Sequence, residues 1–197
     1  MALTKLDRLL LEVRACRICE GKLPNFPRPV LLAAASATVQ IVGQAPGRKV
    51  HETGIPWNDP SGDLLREWLG IDRDAFYDAR HIAIIPAGFC YPGKGPSGDA
   101  PPRPECAPLW HPRLRALLPR LRLTLLVGWY AQGYYLGDRR RKTLAETVRA
   151  WPEYLPEFFP LPHPSPRNRR WLQQHSWFER EVLPELRARF WTALDEK

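Results

Sequence analysis

Long apolar runs are missing from this chain of 197 residues. The most apolar stretch, Val30 to Ala37, falls far short of the ~20 residues needed to cross a bilayer. The segment Met1-Ala2-Leu3-Thr4-Lys5 begins no secretory signal, so a cytoplasmic location is expected, and no membrane partner. There is no internal repeat and no low-complexity tail in this sequence. Cysteine is scarce, with four residues, and without an export signal disulfides are not expected. Acidic residues are also in deficit, 21 against 29 Lys and Arg, leaving a formal charge of +8. That balance favours a polyanionic partner such as nucleic acid; the alternative is charge that serves solubility alone.

Proline is plentiful instead. Its 22 residues cluster in Leu23 to Pro29, Pro92 to Pro112 and Pro152 to Pro166, which predicts long ordered loops. The length suits one domain over 1–197 with a real core. A monomer is expected.

Thr38-Val39-Gln40-Ile41-Val42-Gly43-Gln44-Ala45-Pro46-Gly47 organises the chain. Val39 to Val42 read as a buried strand ended by Gly43, with a tight loop at its carboxyl edge. In open α/β sheets that edge binds ligands. Upstream, Leu6, Leu9, Leu10 and Val13 mark one face of a helix. Arg48 to Gly62 is polar and turn-rich. Leu64, Leu65, Trp68 and Leu69 mark a helix closed by Gly70. His81 to Ile85 is a second strand, and the loop from Pro86 to Pro108 follows it. Leu109 to Leu118 reads as helix and Leu123 to Val127 as a third, wholly apolar strand. Thr143 and Glu146 form a capping box for a helix reaching Trp151. Phe158 to Leu161 is a short fourth strand. Ser176 and Glu179 form a second capping box for the last helix, which Pro184 should kink. Strands alternating with helices predict a mainly parallel sheet covered on both faces.

Two constellations carry chemistry. Cys16 and Cys19 stand as Cys-x2-Cys, and Cys90 and Cys106 as Cys-x15-Cys. Zinc, an iron–sulfur cluster and four unrelated buried thiols all remain open on spacing alone. A zinc deaminase is excluded, because no His-x-Glu precedes Cys16. The second constellation is His163-Pro164-Ser165-Pro166-Arg167-Asn168. Its prolines stiffen the backbone that carries His163, whose N–H can stabilise a developing oxyanion. Ser165 and Arg167 can hold phosphates, and Arg169, Arg170 and Trp171 extend a basic, aromatic edge. The bland alternative is a loop histidine among solvated arginines.

These residues resemble the uracil-DNA glycosylase superfamily over nearly the whole chain. Gly43-Gln44-Ala45-Pro46-Gly47 is similar to its first active-site motif and His163-Pro164-Ser165 to its second. Cys16, Cys19, Cys90 and Cys106 match in order and spacing the ligands of the iron–sulfur uracil glycosylases. Thr53-Gly54-Ile55-Pro56-Trp57, Trp68-Leu69-Gly70 and the His163 to Asn168 string look more like the single-strand-selective enzymes. The resemblance implies an α/β fold, a three-layer α/β/α sandwich with a four-stranded parallel sheet, and a [4Fe-4S] cluster on the four cysteines. It also implies that DNA containing uracil, or another deaminated base, is the partner. Such an enzyme flips the nucleotide into a pocket. His163 would stand beside uracil O2, Trp57 would stack on the base, and Gln44 and Ala45 would line base and sugar. Pro46, Gly47, Pro164, Ser165, Arg167, Asn168, Arg169 and Arg170 would face DNA.

The chain also departs from the family. The iron–sulfur relatives carry Glu at the position of Gln44, and other branches carry Asp or Asn at that of Ala45. A Gln orients water but takes no proton at neutral pH. Asp59 heads the nearby groups that could serve the water, and restoring a carboxylate at Gln44 should speed cleavage if water activation limits it. Relatives read uracil's pairing edge with an Asn after the second strand, where Ile85-Pro86-Ala87-Gly88-Phe89 has none. Asn58 or backbone groups are the candidates to replace it. The expected function is a monofunctional uracil-DNA glycosylase leaving an abasic site. The alternatives are a catalytically weak DNA- or damage-binding relative, and a glycosylase for another deaminated base such as hypoxanthine.

Overall fold

The computed structural model describes residues 2–96 and 98–195, so Met1 of the amino-terminal segment lies outside it. In chain order the elements are α1 (Lys5–Arg14), β1 (Val39–Val42), α2 (Arg48–Thr53), α3 (Pro60–Leu69), α4 (Arg73–Tyr77), β2 (Ile82–Ile84), β3 (Lys94–Gly95) and β4 (Gly98–Asp99). Then come α5 (Cys106–Arg115), β5 (Leu123–Val127), α6 (Trp129–Leu136), α7 (Leu144–Arg149), β6 (Phe158–Leu161), α8 (Arg169–Gln174) and α9 (Leu183–Asp195).

Four strands form one parallel sheet in the order β2-β1-β5-β6. Every residue of β1 and β5 is buried, as a strand covered on both faces requires. Val39, Ile41, Leu123, Leu125, Phe159 and Leu161 pack on one side with Leu65 and Leu69 of α3 and Leu186 and Phe190 of α9. Across the sheet, Ala83 and Ile85 meet Leu6, Leu10 and Val13 of α1 and Trp110 and Leu114 of α5. Val42, Leu126 and Phe158 meet α6 on that same opposite side. This is the expected α/β/α sandwich.

Two polar residues interrupt the core strands, and they are neighbours in register, Gln40 beside Thr124. The Arg115 guanidinium donates to both, at 2.7 and 3.0 Å, so neither is left unsatisfied. Pro160 sits in β6, which pairs only with β5, where a missing N–H costs no ladder bond on the open side.

Local signals account for most boundaries. Thr143 and Glu146 make the predicted capping box, and Gly70 closes α3 at φ 68°. Four differences have physical reasons. The polar stretch after Gly47 folds as α2 with Val50 as its single buried side chain, too weak a pattern to read. The predicted helix over Leu109 to Leu118 runs instead from Cys106 to Arg115, despite Pro112 inside it. The helix predicted to reach Trp151 ends at Arg149, and a 3-10 turn, Trp151–Tyr154, follows. The capping box expected of Ser176 and Glu179 does not form. The Ser176 hydroxyl accepts from the Arg180 guanidinium at 3.4 Å, and Phe178–Val182 make a π-helical turn leading into α9. Pro184 has no N–H and its ring crowds the preceding turn, and the wider π-turn takes up that misfit.

Candidate active site

The chain leaves β1 for β2 on one side and returns to β5 on the other, so the connections diverge at the centre of the sheet. A crevice opens there, outside the strand ends. Gln44 to Gly47 leave β1, Pro86 to Gly88 follow β2, and His163 follows β6. They surround a partly open cleft lined by Gln44, Ala45, Pro46, Gly47, Trp57, Asp59, Pro86 and His163 among others.

Trp57 is held in an unusual conformation, with φ 56°, a strained region for a bulky side chain. Two glycines make it possible. A Cβ on Gly62 would stand 1.8 Å from the Trp57 carbonyl oxygen, and one on Gly43 would stand 2.7 Å from the indole Cζ2. The indole therefore lies against the end of β1. Its ring stacks beside the His163 imidazole, with centroids 5.6 Å apart and planes 29° apart.

His163 is fixed through its backbone. Its carbonyl accepts from the Ser165 N–H and the Asn168 side-chain amide, both at 2.8 Å. Gly128, at φ 86°, ends β5 so closely that a Cβ there would be 3.4 Å from that of His163. Burial lowers the His163 pKa, with Asp59 opposing, so the imidazole is neutral at pH 7. Asp59 caps α3 by accepting the Gly62 N–H at 2.9 Å. Gln44 turns its amide nitrogen outward, donating to the Ala100 carbonyl at 3.1 Å.

The cleft thus combines a neutral histidine, a planar aromatic wall, an acid and a glycine-edged loop. Residues 30–187 match the family described as Uracil DNA glycosylase superfamily. The chain belongs to that superfamily. Among solved structures, it is similar to the solution structure of a protein from Methanosarcina acetivorans, provisionally named a uracil DNA glycosylase. The identity is 18%, the match covers 82% of this chain and 98% of that one, and the TM-score is 0.48.

In this member of the superfamily, Gln44, Ala45, Pro46, Gly47, Trp57, Asp59 and His163 come together around one cleft. Asn58 does not join them. Its side-chain oxygen accepts from Arg73 at 3.0 Å and its nitrogen donates to Thr53 at 3.4 Å, outside the cleft lining. The strained turn at Trp57 aims the indole inward and leaves its neighbour facing α4. Pro164 is buried, Ser165 and Asn168 are half-buried, and Arg167, Arg169 and Arg170 are exposed; none of the six lines the cleft itself. Ser165 caps the 3-10 turn Pro166–Asn168, accepting the Arg167 N–H at 3.3 Å.

His111 carried no signal in the sequence, yet it holds the cleft wall. Its Nε2 lies 3.0 Å from the Pro86 carbonyl and its Nδ1 2.7 Å from the Tyr135 hydroxyl. A carbonyl only accepts, so Nε2 carries the hydrogen and Nδ1 accepts from Tyr135. Burial pushes the His111 pKa down to about 4, which keeps this tautomer neutral.

Cys16, Cys19, Cys90 and Cys106 line one second cavity, with Pro27, Phe89, Arg103 and Trp110. All four are free thiols. Burial pushes Cys90 up to about 11 and Cys106 up to about 12, and neighbouring cysteines add to both. The Phe89 N–H donates to the Cys106 sulfur at 3.4 Å. Among the described residues, no three His, Cys, Asp or Glu close on a single metal ion. The donor set is therefore four sulfurs around a cavity. Four thiols around one cavity are a donor set that both zinc and iron–sulfur clusters take.

Proposed function

We propose that this protein is a monofunctional DNA glycosylase that hydrolyses the N-glycosidic bond of uracil in DNA and leaves an abasic site. One observation carries the reading. A neutral His163 and the face of Trp57 share the wall of a cleft at the carboxyl ends of β1 and β6. Duplex DNA hides the bond to be cut, so the nucleotide has to leave the stack to reach this cleft. As the N1–C1′ bond breaks, charge collects on uracil. The His163 N–H donates to that charge in a site with little competing water, where such a bond counts most. Asp59 presents a negative charge to the sugar as it becomes cationic. Arg167, Arg169 and Arg170 hold phosphates beside the cleft.

The four cysteines fit a [4Fe-4S] cluster of the kind found in the iron–sulfur branch. Such a cluster would tie the end of α1 to the proline-rich loop before α5, a structural task with no part in bond cleavage.

The deciding experiment incubates the protein with single- and double-stranded uracil oligonucleotides and cleaves abasic sites with alkali. Strand scission dependent on uracil supports the reading. Tight binding of the same DNA without scission would make the protein a damage binder. Scission confined to hypoxanthine would move the substrate to another deaminated base.

A further inference from the structure

Gln44 and Ala45, at the start of the loop after β1, offer no proton acceptor to an attacking water. The small antiparallel ribbon of β3 and β4, in the loop between β2 and α5, brings the Asp99 carboxylate over Gly47 at the end of that loop, just outside the residues that line the cleft. Gln44 donates to Ala100, next to Asp99, at 3.1 Å, which pins the ribbon to the cleft loop. Ala100 in turn donates its N–H to the Gly93 carbonyl at 2.8 Å, closing the base of the ribbon. The Arg167 guanidinium lies over Gly98, where a Cβ would meet its Nη1 at 2.5 Å. The ribbon is thus gripped from both functional loops, the one after β1 and the one after β6.

The grip aims Asp99 at the cleft rim. A Cβ built on Gly47 would lie 3.3 Å from one Asp99 carboxylate oxygen and 3.9 Å from one of Asp59. Both acids therefore approach one point over the Gly47 backbone, and the missing side chain there leaves the space between them open. Asp59 has its other oxygen tied to the Gly62 N–H at 2.9 Å and lies close enough to His163 to influence it. Asp99 is the more exposed of the two acids.

We propose that Asp99 is the general base that activates the attacking water, while Asp59 stabilises the sugar cation. This rests on the glycosylase reading. As the N1–C1′ bond breaks, its electron pair leaves on uracil N1. Water adds its oxygen to C1′, Asp99 takes the released proton, and the proton passes on to solvent. The products are uracil anion, later protonated, and the abasic sugar hydroxyl. Desolvation raises the Asp99 pKa above the ordinary carboxylate value; Arg167 opposes this, Asp59 adds to it and Lys94 opposes it. A base shifted in that direction is better matched to neutral pH.

The test measures single-turnover base release against pH for the parent, Asp99→Asn, Asp99→Glu and Asp59→Asn, with DNA affinity measured alongside. General bases contribute about 100- to 10,000-fold. Asp99→Asn should slow release by about 100-fold or more and abolish the acid limb of the profile, with affinity unchanged or slightly higher because a negative charge is gone. Asp99→Glu should restore part of the rate and the limb. Asp59→Asn should slow release but keep the limb. An Asp99→Asn protein that cleaves as fast as the parent, or keeps the limb, overturns the role of Asp99 and leaves the glycosylase reading intact. A parent that releases no base from uracil or hypoxanthine DNA overturns both.

Discussion

Replacing His163 by Ala tests the cleft most directly. The change removes the ring and leaves the loop that carries it, because Ser165 and Asn168 bind the His163 backbone carbonyl and not the side chain. The lost stacking on Trp57 is worth about 0.5–1.5 kcal/mol, so the variant should fold. The lost donor matters far more to the rate. An oxyanion donor in a water-poor site contributes about 2.7–4 kcal/mol, or about 100- to 1000-fold. Single-turnover release of uracil should fall by that factor, while DNA affinity, set by the phosphates, changes little. The pH profile adds a second check. Burial moves the imidazole below its ordinary value of 6.5, so His163 stays neutral from there upward and the parent's rate should not climb as pH falls through that value. An Ala variant within about threefold of the parent would refute the oxyanion argument, which expects a loss near 100-fold or more. A parent rate that rises on acidification through 6.5 would show that the cation is the active form.

Other outcomes follow from single contacts. Anaerobically purified protein should be brown and contain iron, and Cys106→Ala should lower its stability; stoichiometric zinc without iron would overturn the cluster. Removing Arg169 and Arg170 should weaken binding to damaged and undamaged DNA alike and reduce the salt slope by about 0.9 per lost phosphate contact; an unchanged slope places the DNA surface elsewhere. His111 has a folded-state pKa of about 4 against an ordinary 6.5, so its contribution is fully present above 6.5 and is lost as pH falls toward 4. That loss amounts to about 3 kcal/mol, and denaturant titrations of the parent and His111→Gln should diverge in pH dependence across that window. Gln44→Glu should slow cleavage: the Gln44 amide donates to Ala100, and a carboxylate there would lose that bond beside Asp59 and Asp99. A faster Gln44→Glu protein would show that the ribbon contact is dispensable.

The parts of the fold legible in the sequence are those written in contiguous residues. Val39 to Val42 and Leu123 to Val127 are apolar throughout because both faces of the sheet are covered. Thr143 and Glu146 announce a helix start through a local bond. The cleft loops were legible for the same reason, since Gln44 to Gly47 and His163 to Asn168 are short strings. Ser176 and Glu179 had the right local pattern and lost to Pro184, whose missing N–H reshaped the turn. Asn58 stood beside Trp57 in sequence, but the positive φ of Trp57 sends the two side chains apart. His111 and Asp99 were illegible because their partners, Pro86 and Gly47, lie far away along the chain.

The departure at Gln44 takes on a different meaning in this light. Judged one position at a time, an amide in place of a carboxylate argues for a protein that binds and does not cleave. The amide, however, spends its N–H2 on Ala100, a bond that a carboxylate cannot make. That bond fixes the ribbon carrying Asp99, so the exchange couples two changes: the loop after β1 gives up an acid and gains a hold on the segment that presents one. The bare Gly47 backbone between Asp99 and Asp59 makes the coupling testable. A methyl group there would crowd Asp99 and leave His163 and Trp57 alone. Gly47→Ala should therefore follow Asp99→Asn in rate and pH profile, and a Gly47→Ala protein indistinguishable from the parent would separate the ribbon from the chemistry.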